Sequence, residues 1–198
     1  MEIKTAKFIK GIKGTDEILN DGKIKIAFIG RSNVGKSSLI NSLTNKKDLV
    51  KSSSLPGKTR EINFFLINDD PKNSGSGESF YFVDLPGYGF AKIENKQREK
   101  LRKLILWYLF SKETLNNKIV LVIDFKVGLS KFDLEMLYLL RENNLNYIIV
   151  ANKVDKISKG SRLSQLKKIE SETGEKNIIL YSSKTNEGRE DLLLKIFS

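Results

Sequence analysis

The sequence predicts an α/β fold in which a mainly parallel sheet of six strands, with one antiparallel edge strand, is covered by helices on both faces. From about residue 23 onwards, short apolar runs alternate with amphipathic stretches, which is the order that β–α–β units produce. The apolar runs are almost uninterrupted, as expected for strands buried on both faces of a sheet. Ligands of such sheets bind beyond the carboxyl ends of the strands, so the loops after strands should carry the function.

The first half of the pattern contains three strands and one helix. KIKIAFIG over 23–30 predicts a strand that ends in a turn, and SSLINSLTN over 37–45 predicts a helix. EINFFLIN over 61–68 and SFYFVDL over 79–85 predict two more strands. The Pro, Gly and Ser residues of 69–78 predict a loop between them, so the two strands are expected to pair as a hairpin and to supply the antiparallel edge.

The second half continues the alternation. Residues 94–112 carry apolar side chains at helical spacing. Ser130 followed by Asp133 is a capping-box signature, which predicts the start of a helix over 130–143. The remaining predictions are strands over 118–125, 146–152 and 177–183, and helices over 161–173 and 189–197.

The composition excludes several kinds of chemistry. The 198 residues include no cysteine and no histidine, which excludes disulfides, thiolate metal sites and an imidazole base. We expect a cytoplasmic protein with no membrane partner, because no apolar run reaches the roughly 18 residues of a membrane span and the N-terminus lacks the apolar core of a secretory signal. A net charge of +11 favours polyanionic partners; the alternative is a lysine-rich surface that only confers solubility.

One segment has the pattern of a phosphate-binding loop. GRSNVGKS over 30–37 fits G-x-x-x-x-G-K-[ST] and lies between a predicted strand and a predicted helix. Backbone N–H groups of such a loop surround a phosphate, helped by the N-terminus of the helix. Lys36 is expected to reach the β- and γ-phosphates, and the Ser37 hydroxyl to ligate Mg²⁺. The predicted phosphate-site residues are Gly30, Arg31, Ser32, Asn33, Val34, Gly35, Lys36, Ser37 and Ser38.

A second segment, DLPG over 84–87, follows the predicted strand at 79–83. Asp84 is expected to hold Mg²⁺ through water, and the Gly87 amide to contact the γ-phosphate. Its predicted nucleotide-site residues are Asp84, Leu85, Pro86 and Gly87.

A polar segment before the strand at 61 is expected to order around the γ-phosphate. Its candidate residues are Pro56, Gly57, Lys58 and Thr59. Thr59 is the candidate ligand of Mg²⁺, so the predicted metal set is Ser37, Thr59 and Asp84. Thr44 and the serines at 52–54 are alternatives of suitable type that lie less well before the next strand. The other interpretation of Thr59 is an exposed loop threonine.

Two late strand ends carry residues suited to a purine base, namely Asn152, Lys153, Val154 and Asp155, and then Ser182, Ser183 and Lys184. The Asp155 carboxylate can accept from N1–H and the exocyclic amino group of guanine. Adenine offers neither donor, and an unsatisfied buried polar group costs about 1–3 kcal/mol. The Lys153 stem can lie over the base, and the backbone of Ser183 and Lys184 can contact its carbonyl oxygen. Together with the phosphate loop, this arrangement predicts a G domain that binds GTP.

These segments resemble the EngB family, also called YihA or YsxC, within the Era-like branch of P-loop GTPases. The resemblance is carried by GRSNVGKSSLIN (30–41), LPGKTREINFF (55–65), DLPGYGFA (84–91), DF (124–125) and SSKTNEG (182–188), and it spans about residues 5–197. Asn152 departs from the family, where threonine is usual before the lysine. The resemblance implies an extension over 1–22 packed on a G domain over 23–198. It also implies GTP hydrolysis to GDP and phosphate, in assembly of the large ribosomal subunit and in normal cell division and septation.

The position after the DLPG glycine is Tyr88, where many small GTPases place a glutamine that orients water. A phenol is a poor substitute, so we expect slow intrinsic hydrolysis that a partner accelerates. Asn33 matches the asparagine by which Era-like relatives hold K⁺ near the phosphates; the alternative is an asparagine chosen for loop geometry, and both stay open. The candidate catalytic residues are Lys36, Asn33 and Gly87.

Three functions compete at this point. The first is a monomeric GTPase that binds GTP or GDP and large-subunit ribosomal RNA or particles. The second is a metabolic P-loop enzyme such as a nucleoside kinase, which would leave the residues at 152–155 without a role. The third is a protein-only GTP switch of the division machinery that binds no RNA. Salt-sensitive, GTP-dependent co-sedimentation with large-subunit particles separates the first from the third.

Overall fold

A computed structural model describes residues 3–50, 61–68, 79–89, 94–114 and 117–198. The strands are β1 (Ala6–Ile12), β2 (Lys25–Gly30), β3 (Ile62–Ile67), β4 (Phe80–Asp84), β5 (Lys118–Asp124), β6 (Tyr147–Asn152) and β7 (Ile178–Tyr181). The helices are α1 (Lys36–Leu43), α2 (Asn95–Phe110), α3 (Lys131–Glu142), α4 (Lys159–Thr173) and α5 (Arg189–Phe197). Short 3₁₀ turns occupy Glu17–Asn20 and Val154–Lys156.

All seven described strands form one sheet in the order β1-β3-β4-β2-β5-β6-β7. β2, β4, β5, β6 and β7 pair in parallel, whereas β3 is antiparallel to both of its neighbours, β1 and β4. The predicted α/β class and the β3–β4 hairpin are therefore confirmed. The prediction of six strands with the antiparallel strand at the edge is wrong in this detail, because β1 adds a seventh strand outside β3.

β1 escaped prediction because its sequence, AKFIKGI, carries two lysines three positions apart and a glycine, and so lacks the strict alternation of a half-buried strand. Lysine on an edge strand discourages further strand pairing, so the same residues suit an outermost strand. The N-terminal segment also contributes to the core, since Ile12, Ile18 and Leu19 are buried in one of the two apolar clusters. The predicted division into an extension over 1–22 and a domain over 23–198 stays a prediction.

The sheet separates two apolar layers. α2, α3 and α4 pack on one face, and α1 and α5 pack on the other. β2 shows why both layers form, because Ala27 and Ile29 join the first layer while Ile26 and Phe28 join the second. Side chains alternate along a strand, so a continuous apolar strand serves both layers, and each large apolar side chain buried stabilises the fold by about 1.5–3 kcal/mol.

The helix ends agree with the sequence pattern to within a few residues. α3 begins at the predicted capping box: the Ser130 hydroxyl accepts from the Asp133 backbone N–H at 3.3 Å, and the Asp133 carboxylate accepts from the Ser130 N–H at 2.8 Å. Among the described residues, no helix has both the length and the apolar character needed to cross a bilayer.

Candidate functional site

The parallel strands bring their carboxyl ends to one edge of the sheet. The loop at 31–35 follows β2, the residues at 84–87 follow or end β4, and Asp124 ends β5. Asn152 ends β6, and Ser182 follows β7 directly. The segments singled out in the sequence therefore lie side by side, although up to about 150 positions separate them along the chain.

Two glycines of the loop after β2 have no room for a side chain. A Cβ on Gly30 would lie 2.5 Å from the carbonyl oxygen of Val122, and a Cβ on Gly35 would lie 2.4 Å from the side-chain nitrogen of Asn152. Gly35 also has a φ of 93° and precedes α1 without a side-chain cap. The N–H groups of the first turn of α1 are thus left to other acceptors, as at anion-binding helix ends.

Asn152 joins three loops through its amide group. Its nitrogen donates to the carbonyl oxygens of Val34 at 3.0 Å and Gly35 at 3.4 Å. Its oxygen accepts from the backbone N–H and the hydroxyl of Ser183 at 3.2 Å and 3.0 Å. Asparagine suits this position, because its amide can donate to one loop and accept from another.

Lys153 lies between two strand ends. Its ammonium donates to the carbonyl oxygen of Asn33 at 2.6 Å and to Asp124 at 2.7 Å. The second oxygen of Asp124 accepts from the N–H groups of Lys126 and Val127. Sequence reasoning did not assign a role to Asp124, although a carboxylate at the end of a central parallel strand is a signal that would have found it.

Asp155 is held by the loop after β7. One carboxylate oxygen accepts from the Ser182 hydroxyl at 2.8 Å, and that hydroxyl accepts in turn from the N–H groups of Lys184 and Thr185 at 3.3 Å and 3.2 Å. Ser182 is fully buried, whereas the Asp155 side chain keeps 15% exposure. The carboxylate is thus fixed in direction and still accessible to a ligand.

Lys36 and Asp84 form a buried ion pair beneath the phosphate loop. The ammonium contacts one carboxylate oxygen, and the two side chains are 8% and 0% exposed. The other oxygen, Oδ2, is buried and has no hydrogen-bond partner among the described residues. A buried acceptor of this kind needs a further donor or a cation, so Asp84 fits a role beside Mg²⁺.

Tyr88 is anchored in both its backbone and its side chain. Its N–H donates to Gly30 at 3.3 Å, and its carbonyl accepts from Ser32 at 2.9 Å. Its hydroxyl donates to Asp133 at 2.8 Å. Burial, followed by the nearby Asp133 carboxylate, raises the pKa of Tyr88 well above the ordinary phenol value. The phenol is therefore a protonated donor committed to the start of α3.

The predictions for the segment before β3, for Thr44 and for Asn33 have different outcomes. Pro56, Gly57, Lys58 and Thr59 lie outside the described residues, as do the serines at 52–54. Thr44, an alternative to Thr59, is buried at the end of α1 and donates its hydroxyl to the Ile40 carbonyl at 2.9 Å, so this alternative is wrong. Asn33 has a φ of 66°, a backbone conformation that asparagine tolerates better than most residues.

Comparison with known proteins identifies the family. A sequence model of the "50S ribosome-binding GTPase" family matches residues 25–153. The probable GTP-binding protein EngB of Clostridium kluyveri is 46% identical over 197 residues, which cover 98% of this chain and 94% of that protein. The chain belongs to the EngB family of GTP-binding proteins. The EngB resemblance inferred from the motifs is thus confirmed, and so is the prediction of a GTPase; the nucleoside-kinase alternative is wrong.

A further relative and two solved structures are also similar over most of the chain. The probable EngB of Fusobacterium nucleatum is 42% identical and covers 98% of this chain and 95% of its own length. A crystal structure of a probable EngB superposes with a TM-score of 0.68 at 28% identity, over 87% of this chain and 96% of that one. The G domain of the FeoB iron transporter of T. maritima is similar with a TM-score of 0.54 at 25% identity, over 88% of this chain and 97% of that one.

Proposed function

We propose that this EngB protein is a monomeric, cytoplasmic GTP switch in the assembly of the large ribosomal subunit, on which normal cell division and septation depend. The observation that carries the nucleotide part is the convergence of the strand-end segments, tied together by Asn152 and Lys153. The ribosomal part is supported by the name of the matching family and by a net charge of +11, since excess positive charge favours RNA.

In this proposal the loop at 30–38 binds the phosphates of GTP. Backbone N–H groups and the start of α1 surround the β-phosphate, and the Lys36 ammonium neutralises the β- and γ-phosphates. Asp155 would select guanine, because its carboxylate, held by Ser182, can accept from donors that adenine lacks. The Lys153 ammonium donates to the carbonyl oxygen of Asn33 in the phosphate loop, and its stem would lie over the base.

Mg²⁺ would be held by Ser37, Asp84 and Thr59. The free Oδ2 of Asp84 supports this assignment, and the described residues contain no cluster of three acidic or other strong ligands that would hold a metal without a nucleotide. When bound, Mg²⁺ would neutralise charge on the phosphate oxygens. Gly87, beside Asp84, would offer its N–H to the γ-phosphate.

We further propose that hydrolysis is slow without a partner. The Tyr88 hydroxyl donates to Asp133, so it is directed toward α3 and does not orient an attacking water. A K⁺ ion held by Asn33 remains the proposed activator, with loop geometry as the alternative explanation of this asparagine. Equal rates of GTP turnover in KCl and in NaCl would exclude the potassium role.

Co-sedimentation with purified large-subunit particles tests the ribosomal proposal. The full-length protein, loaded with GDP or with a non-hydrolysable GTP analogue, is expected to bind only in the GTP form and to dissociate as salt rises. Failure to bind particles in either form would favour the protein-only division switch instead.

A further inference from the structure

α2 presents a row of lysines to solvent. Lys96, Lys100 and Lys103 are all exposed, and Lys103 keeps 75% of its side chain accessible. Their spacing of four and then three residues places them within an arc of about 60° on the helix, and about 10 Å separates the first from the last along the axis. The three ammonium groups therefore form one stripe, named here the α2 lysine stripe.

A fourth lysine extends this surface from a different element. Lys13, just after β1, lines the same shallow depression of about 490 Å³ as Lys96 and Lys100. Leu101 and Leu104 also line it, and Glu94 is its one acidic side chain. Lys13 is 66% exposed and pairs with Glu61 at 2.9 Å. The depression is thus an open, cationic groove rather than an enclosed pocket.

The α2 lysine stripe destabilises its helix by repulsion between like charges, which a surface of mixed charge avoids. Like charges three and four residues apart on a helix repel each other, and α2 carries five basic side chains against one acidic one, Glu99. Glu99 lies 3.9 Å from Lys103, at the limit of an ion pair. α4, in comparison, carries four basic side chains against two acidic ones. An anionic partner that neutralises the stripe would offset this repulsion.

We propose that the α2 lysine stripe, with Lys13, binds the phosphate backbone of large-subunit ribosomal RNA. The inference rests on the ribosomal role proposed above and adds its docking surface. Exposed ammonium groups act as point charges for phosphate, and a row about 10 Å long suits successive phosphates of a strand better than a single small anion. α2 is also the first described helix after the residues at 84–87, so the surface lies close along the chain to the nucleotide site.

A matched pair of triple variants tests the proposal in the full-length protein. Lys96→Gln/Lys100→Gln/Lys103→Gln removes the stripe, and Lys159→Gln/Lys167→Gln/Lys168→Gln removes as many exposed charges from α4. Binding is measured against large-subunit particles and against protein-free large-subunit RNA between 50 and 200 mM salt. The slope of log affinity against log salt should fall by about two to three units for the α2 variant and by clearly less for the α4 variant. GDP affinity, which reports folding, should be unchanged in both.

Three outcomes would contradict the proposal. Equal slopes for the α2 variant and the wild-type protein would show that the stripe touches no phosphate. Loss of particle binding with unchanged binding to protein-free RNA would assign the stripe to a ribosomal protein. If the wild-type protein itself binds no particles, the ribosomal role fails and the docking surface fails with it. Should the triple variant lose GDP binding, Lys100→Gln alone is used, with an expected fall of about one unit.

Discussion

Single residues at this site connect several loops by hydrogen bonds. Asn152 and Lys153 both reach the phosphate loop after β2, and Lys153 also reaches Asp124 at the end of β5. The residues predicted to recognise the base are thereby linked to the phosphate loop by hydrogen bonds within the protein. The consequence is that changes at 124, 152 or 153 should alter affinity for the whole nucleotide and not for the base alone.

Asp124→Asn is expected to weaken GDP and GTP binding about fivefold. The substitution removes the charge that holds the Lys153 ammonium, and an ion pair between a partly exposed lysine and a largely buried carboxylate contributes about 1 kcal/mol. Titration with fluorescent GDP measures the effect. In a Lys153→Ala background the same substitution should change nothing further, because the two residues act as a unit; additive losses would contradict the coupling.

Asp155→Asn should shift the preference from guanine to xanthine nucleotides. Xanthine presents a carbonyl where guanine presents its amino group, so an amide donor suits it and a carboxylate does not. GDP affinity should fall by about 1–3 kcal/mol, measured by competition between GDP and xanthosine diphosphate. Asp191→Asn, an exposed carboxylate on α5, serves as the control. Unchanged preference would remove the assigned role of Asp155.

Tyr88→Phe should leave basal GTP turnover within about twofold of the wild-type rate and lower the free energy of unfolding by about 1 kcal/mol. The hydroxyl donates to Asp133, which would lose a partner in a buried position. Urea unfolding and single-turnover hydrolysis measure the two effects. Tyr138→Phe, at a tyrosine that is 61% exposed, is the control. A tenfold loss of turnover would mean that the phenol acts on the attacking water.

At the scale of elements, β1 and the link between α3 and α4 were not anticipated. β1 is recognisable as a strand only in the sheet, where it pairs with the outer edge of β3. The α3–α4 link consists of Arg141, which donates to Glu175 at 2.7 Å and to Tyr147 at 3.1 Å. The contact between Arg141 and Glu175 joins positions 34 residues apart and leaves no periodic signal in the sequence.

The α3–α4 link predicts a pH dependence of stability. Hydrogen bonds from Tyr147 and then Arg141 lower the pKa of Glu175. A carboxylate with a lowered pKa stabilises the fold at neutral pH, and this contribution is lost as pH falls through that lowered pKa. Glu175→Gln should therefore destabilise the protein by up to about 1 kcal/mol at pH 7.

Urea unfolding over a series of pH values from 7 downwards measures the difference in unfolding free energy between wild type and Glu175→Gln. This difference should narrow as pH falls, because protonation of wild-type Glu175 removes the charge that glutamine lacks. Glu172→Gln is the matched control, because Glu172 also lies near the end of α4 but only approaches Lys168 at 3.9 Å. A gap that is constant with pH would show that the charge of Glu175 contributes nothing.

At the scale of the whole molecule, a nucleotide bound at the carboxyl edge of the sheet should stabilise the folded state. A ligand that binds only the folded state at a hundredfold excess over its Kd stabilises it by about 2.7 kcal/mol. For a chain of 198 residues, this corresponds to a rise in Tm of about 5–10 °C. Thermal scans with GDP and Mg²⁺ should show the rise, and ADP should not. Equal shifts with both nucleotides would contradict guanine selection.

Much of the fold and site could be predicted because each signal is local. A continuous apolar run predicts a strand, a glycine-rich turn before a helix predicts a phosphate loop, and the strand-end rule assembles such segments at one edge. Ser130 and Asp133 show the same principle on a smaller scale, because a capping box needs only residues three positions apart. The class of the fold, the phosphate loop and the family followed from patterns of this kind.

The contacts between distant residues depend on the order of the strands in the sheet. Asp124 meets Lys153, and Lys153 meets Asn33, because β2, β5 and β6 are neighbours in the sheet. The contact between the Tyr88 hydroxyl and Asp133 also depends on the order of the strands, and so does the pairing of β1 with β3. A pattern along the chain reports only what a few neighbouring residues favour. Contacts across 30 to 120 positions depend on which strands pair, and pairing is set by packing of the complete molecule.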